Sequence, residues 1–193
     1  MRILIVGRDP SDASYLEDLR AIWQGHDIQT VTISDFTAER LADCDLLAIS
    51  GQYGGDVAVP LEPLSALTNI ILDPALPVLA IGWGFEIACL AFGDDLPETA
   101  EKVEGAIRIE PTSKGENLFQ GSDPIRVNPG PRWNVEEVPR GIAVLARSET
   151  GIEAFQHKAK PVLALQLLPA DFTYATDGKL VYHNLLGSFG KRG

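Results

Sequence analysis

Pro77-Val78-Leu79-Ala80-Ile81-Gly82-Trp83-Gly84-Phe85-Glu86 runs without a break into Ile87-Ala88-Cys89-Leu90-Ala91-Phe92-Gly93. The first half is a wholly apolar run of strand length, the second is an apolar helix, and glycines mark the junction. A strand that turns sharply into a helix holds the residue at its tip in a strained backbone conformation over the sheet edge, an arrangement that can present a nucleophile. Here the tip is Gly82. Glycine tolerates such a backbone without the steric cost that other residues bear, and it has no side chain with which to attack a carbonyl. The segment thus predicts a turn with no nucleophile on it. Alone, it reads equally well as an ordinary buried strand and helix joined by a glycine turn.

Outward from this unit the pattern repeats. Arg2 to Val6 is a branched apolar run ended by Gly7, and the polar loop Arg8-Asp9-Pro10-Ser11-Asp12 offers caps for a helix through Tyr15, Leu16, Leu19, Ile22 and Trp23. Strand Ile28 to Ile33 precedes helix Ala38 to Leu41, strand Leu46 to Ile49 precedes helix Leu61 to Leu72, and strand Val78 to Ile81 precedes helix Phe85 to Phe92. Apolar strands alternating with amphipathic helices require a parallel sheet covered on both faces. From about Val103 the pattern changes to short strands, Ala106 to Ile109, Ile125 to Asn128, Ala143 to Ala146, Ala154 to His157 and Val162 to Leu167, whose short connections suit antiparallel pairing. Pro111 to Pro139 is polar and rich in Gly and Pro, and beyond Ile125 to Asn128 its sequence does not define its structure. The fold class is α/β, an open and mostly parallel sheet with helices on both faces and added antiparallel strands.

A chain of 193 residues, 45% hydrophobic, suffices for one well-packed core and is small for two, so a single domain spanning 1–193 is expected. No run of eighteen or more apolar residues occurs, and the start Met1-Arg2-Ile3-Leu4-Ile5-Val6-Gly7 lacks the length and cleavage site of a secretory signal. The expectation is a cytoplasmic protein without a membrane span. Sixteen basic against 27 acidic residues, a net charge of −11, argue against a nucleic-acid partner, which needs clustered Lys and Arg.

Several segments carry a resemblance to class I glutamine amidotransferases. The elbow at Gly82 is similar to that family's Gly-Ile-Cys-x-Gly-His-Gln. Ile152-Glu153-Ala154-Phe155-Gln156-His157-Lys158-Ala159-Lys160-Pro161-Val162-Leu163-Ala164-Leu165-Gln166-Leu167-Leu168-Pro169-Ala170 resembles its Ile-x-Ala-Phe-x-His-Lys-x-x-Pro-Ile-x-Gly-Val-Gln-Phe-His-Pro-Glu. Asp45-Leu46-Leu47-Ala48-Ile49-Ser50-Gly51-Gln52-Tyr53-Gly54-Gly55-Asp56 resembles its strand and oxyanion loop. Weaker agreements are Asn117-Leu118-Phe119-Gln120-Gly121, Val138 to Ser148 and the closing helix around Asp177 to Leu186, so the resemblance extends from Arg2 to Leu186. It implies the flavodoxin-like fold of that family. Carried over position by position, the nucleophile falls on Gly82, the general base on Leu168 and the orienting carboxylate on Ala170, so every triad position is degenerate. The former oxyanion loop and pocket map to Gly51, Gln52, Tyr53, Gly54, Trp83, Phe85 and Glu86. Trp83 and Phe85 either fill the former cavity or simply pack.

In that family the cysteine attacks the glutamine amide, the histidine shuttles protons, and ammonia passes to a synthetase. Groups that act as a unit are not replaced piecemeal, and losing one typically costs about four to six orders of magnitude in rate. The resemblance therefore implies a catalytically inactive pseudo-glutaminase. It would serve as a structural or regulatory subunit of a partner enzyme, synthetase-type or other, or self-associate, with no cofactor and with glutamine binding doubtful. Two alternatives stay open. One is a hydrolase with relocated machinery using Ser50, His157 or a partner-supplied group. The other is a small-molecule sensor with Glu86, Tyr53 or Arg132 as polar contacts.

Cys89 lies seven residues beyond Gly82, about 10 Å along the helix, and points into helix–sheet packing. Cys44 sits at the start of its strand, roughly 20 Å from the end where ligands gather in parallel sheets. Both are expected to be buried spectators without metal-ligand spacing. His26, His157 and His183 are dispersed, and no metal site is expected.

Overall fold

The computed structural model describes the backbone of residues 1–10, 13–51, 61–93, 101–103, 107–120, 125–127, 130–132, 135–166 and 178–189. Among these the strands are β1 (Arg2–Gly7), β2 (Asp27–Thr32), β3 (Leu46–Gly51), β4 (Val78–Gly82), β5 (Glu101–Val103), β6 (Ile107–Pro111), β7 (Ile125–Val127), β8 (Gly130–Arg132), β9 (Ile142–Ser148), β10 (Gly151–His157) and β11 (Val162–Leu165). The helices are α1 (Ala13–Ile22), α2 (Leu61–Leu72), α3 (Trp83–Ala91) and α4 (Gly178–Phe189). Among the described residues nine strands form one sheet in the order β2-β1-β3-β4-β11-β10-β9-β6-β7, and β5 pairs with β8 in a separate ribbon.

The expected parallel half is present. β2, β1, β3, β4 and β11 are mutually parallel, whereas β10, β9, β6 and β7 continue the sheet by antiparallel pairing. One expectation needs correcting. Short connections suggest purely antiparallel pairing for the strand opening at Val162, yet β11 is antiparallel only to β10 and runs parallel beside β4, with Val162 opposite Val78 and Leu165 opposite Ile81. All four of its residues are buried, as an apolar run inserted between two strands must be. A second correction concerns Ala38–Leu41, which forms a 3-10 turn with no buried residue rather than an α-helix. Leu41 alone packs against the core, and one apolar residue in four offers too little packing to offset the cost of nucleating a longer helix.

Successive side chains of a strand point to opposite faces, and here each face has its own core. Ile3, Ile5, Leu46, Ala48, Leu79, Ile81, Leu163 and Leu165 meet Leu16, Leu19 and Trp23 from the α1 side and Val181, Tyr182 and Leu185 of α4. Leu4, Val6, Leu47, Ile49, Val78, Ala80, Val162 and Ala164 meet Leu67 and Ile71 of α2 and the inner face of α3. The Trp23 indole donates to the Tyr182 carbonyl at 3.1 Å, joining positions 159 residues apart. Buried indole nitrogens require such a partner.

Candidate functional site

The elbow forms where β4 ends. Gly82 has φ +57° and ψ −113°, and α3 starts at the next residue. A Cβ is strongly disfavoured there, so the turn suits glycine, and the helix start has no side-chain cap. Gly84 is glycine for a different reason. A Cβ on it would lie inside the contact distance of the Ile49 carbonyl oxygen, because the first turn of α3 rests directly on the β3 backbone. The junction thus contains one glycine chosen for its dihedral angles and one for close approach.

Gly51 is the register partner of Gly82, so the start of the expected oxyanion loop lies beside the elbow. Ser50, one residue back, is fully buried and stands between Gly7 and Ile81. Trp83 and Phe85 are buried in the α2–α3 core, and the Phe85 ring packs against Phe155 at 5.3 Å in a tilted geometry. Glu86 is half-buried in the first turn of α3, where the helix dipole favours a negative charge. Gln52, Tyr53, Gly54, Leu168 and Ala170 lie outside the described residues. Arg132 is on β8 opposite Glu101, in the ribbon separate from the main sheet.

Two polar residues of the family-like segment to which the resemblance assigns no site role, Glu153 and Gln166, flank the elbow on its other side. Leu165 pairs with Ile81, so Gln166 is level with Gly82, and its backbone N–H donates to the Glu153 carbonyl at 2.7 Å. Both side chains are fully buried. The Gln166 amide donates to the Ile152 carbonyl at 3.2 Å, and the Glu153 carboxylate accepts from Ser148 Oγ at 2.7 Å and Thr150 Oγ1 at 3.3 Å. An acidic side chain in the otherwise apolar run Ile152–Phe155 is the signal that could have found the pair, since a buried polar group must be hydrogen-bonded. Gly51, Gly82, Gln166 and Glu153 therefore line one edge of the sheet.

His157 is at the opposite edge. Gln156 pairs with Leu163, which places His157 level with Val162 and Val78, near the strand starts. Ser50 is three strands away and about three residue rises higher, a separation of roughly 17 Å. A hydroxyl and an imidazole so placed cannot form a nucleophile–base pair. Cys89 is buried in the α3 core as expected. Cys44 is only half-buried, which corrects its assignment as a buried spectator: it lies at the margin of the sheet, where its thiol donates to the Arg40 carbonyl at 3.1 Å. Burial pushes that thiol's pKa up against the opposing pull of Arg2, with Asp43, Asp45 and Asp27 adding to the rise. A raised pKa leaves less thiolate and a poorer nucleophile. Among the described residues no group of three or more His, Cys, Asp or Glu is placed to hold a metal ion. No helix among them is long and apolar enough to cross a membrane.

The profile of the family described as glutamine amidotransferase class-I matches residues 16–181. A glutamine-hydrolyzing GMP synthase of Leifsonia xyli is 28% identical over 165 residues, 81% of this chain and 31% of the relative. One subunit of a glutamine-hydrolyzing GMP synthase of Methanococcus vannielii is 33% identical over 122 residues, 60% of this chain and 61% of that subunit. The chain thus spans less than two thirds of the length of either relative. A crystal structure of a Thermoplasma acidophilum protein assigned as a GMP synthase subunit superposes with a TM-score of 0.76 at 24% identity, covering 98% of this chain and 94% of the other. With the elbow, the sheet order and a family match across most of its length, the chain belongs to the class-I glutamine amidotransferase family.

Proposed function

We propose that this chain is a noncatalytic member of its family, a cytoplasmic single-domain subunit (residues 1–193) that acts by binding a partner enzyme, with Gly82, Leu168 and Ala170 at the degenerate triad positions. The observation that carries the reading is the elbow. Its dihedral angles are those of a strained strand-to-helix tip, and the residue at the tip has no side chain. Acyl transfer to a nucleophile needs an atom that can attack and a base within hydrogen-bond reach. The separation of Ser50 from His157 weighs against relocated machinery built from that pair. Two of the similar proteins are named as subunits of a glutamine-hydrolyzing synthase, which supports a role beside a second enzyme subunit, one that consumes ammonia.

Triple reversion tests this reading. Gly82→Cys, Leu168→His and Ala170→Glu together should confer glutamine-dependent ammonia release where the unmodified chain gives none. Affinity purification from the native source should recover an enzyme subunit in stoichiometric amount. Ammonia release by the unmodified chain, undiminished by repeated purification, would remove the noncatalytic reading.

A further inference from the structure

His157 closes the turn between β10 and β11 by a specific use of one ring nitrogen. Its Nδ1 accepts from the backbone N–H of Ala159 at 3.1 Å and of Lys160 at 2.9 Å. An acceptor at Nδ1 means that the neutral ring carries its proton on Nε2. The ring stacks on Phe92 at the end of α3, with centroids 5.3 Å apart and 30° between planes. The same turn is held at two further points: the Lys158 N–H donates to the Gly141 carbonyl at 2.7 Å, and Lys160 Nζ donates to the Leu72 carbonyl at the end of α2. One imidazole therefore orders a turn that ties together α2, α3 and the segment entering β9.

We propose that neutral His157 is a latch holding the β10–β11 turn against the C-terminal ends of α2 and α3, and that protonation of its Nδ1 opens the turn. A proton there turns the shared acceptor into a donor facing two donors. The charged residues on the surrounding elements are Lys158 and Lys160 on the turn, Lys114 across the cavity that His157 and Lys160 line, Arg140 before Gly141 and Asp73 after α2, while the described end of α3, Leu90 to Gly93, has none. Burial, then the charge of Lys160, holds the pKa of the ring below its ordinary value. A histidine kept neutral by the fold contributes stability that is complete above its unfolded pKa of about 6.5 and is lost as pH falls through its lower folded value.

Amide hydrogen exchange on the full chain tests the latch, with the His157 ring titration followed by NMR in the same samples. The protection factors of Ala159 and Lys160 should fall as pH drops from about 6.5 to the ring's own lower titration, by up to roughly tenfold per pH unit when one proton drives opening, and level off below it. His157→Asn, whose side-chain carbonyl can accept the same backbone N–H groups in an Asx-type turn, should keep that protection at every pH. His157→Ala should lack it throughout. Protection in the unmodified chain that stays constant from about pH 7 down through the ring titration would overturn the proposal, and so would an equal pH-dependent loss in His157→Asn.

Discussion

Position 82 and position 84 constrain the same junction through different physics, and substitutions separate them. At Gly82 the constraint is the backbone, so Gly82→Ala should destabilise the fold by about 1–3 kcal/mol, the usual cost of a side chain in a sparsely populated region. At Gly84 the constraint is the Ile49 carbonyl, and Gly84→Ala must push α3 off β3 or distort both, for about 1–3 kcal/mol or more. Denaturant melts give both values, and crystal structures distinguish the causes: helix α3 should move in the Gly84 variant and stay in place in the Gly82 variant. The role of Gly82 is legible in the sequence because a strand, a glycine and a helix in that order predict a sharp turn. The reason for Gly84 is not, since a carbonyl contributed by a strand more than thirty residues earlier has no local signature. The partners of Glu153 and Gln166 are hidden in the same way, because they come from β9, β10 and the hairpin turn, although an acidic side chain within an apolar run marks the pair as unusual.

Among the elements, α3 has the most demanding task. Its first residues shape the elbow, and its inner face supplies Trp83, Phe85, Ile87, Ala88 and Cys89 to one core. Phe85 is fully buried on Phe155, and Phe155 also meets Phe92 at 6.4 Å in an edge-on contact. Phe85→Ala should therefore cost about 3–5 kcal/mol, measured by thermal or chemical unfolding, and a loss under 1 kcal/mol would show that the aromatic cluster is loosely packed. The parallel strands are readable because each is a continuous apolar run, the composition that burial on both faces demands. β11 has the same composition, but its place beside β4 depends on where the chain returns after the β9–β10 hairpin, and no local pattern encodes that return. Ala38–Leu41 misleads because a preceding threonine and a final leucine imitate a helix, yet only Leu41 reaches the core.

On the scale of the whole molecule, the alternation of side chains along five parallel strands divides the interior into two cores, each closed by its own pair of helices. The α/β class follows from the order of elements, whereas the sheet order does not, because β11 enters the middle of the sheet from late in the sequence. The core beneath α1 is completed by α4, whose Val181, Tyr182 and Leu185 are fully buried. A chain ending before Gly178 should expose Leu16, Leu19 and Trp23 and lose its cooperative unfolding transition, with dye binding to apolar surface as the second readout. The bond from Trp23 to Tyr182 spans 159 residues, which sets a delay during synthesis. At about 5–20 residues per second the ribosome needs roughly 8–30 s to produce the later partner after the earlier one. Throughout that interval the nascent polypeptide carries an uncovered tryptophan face, a natural client for a holding chaperone.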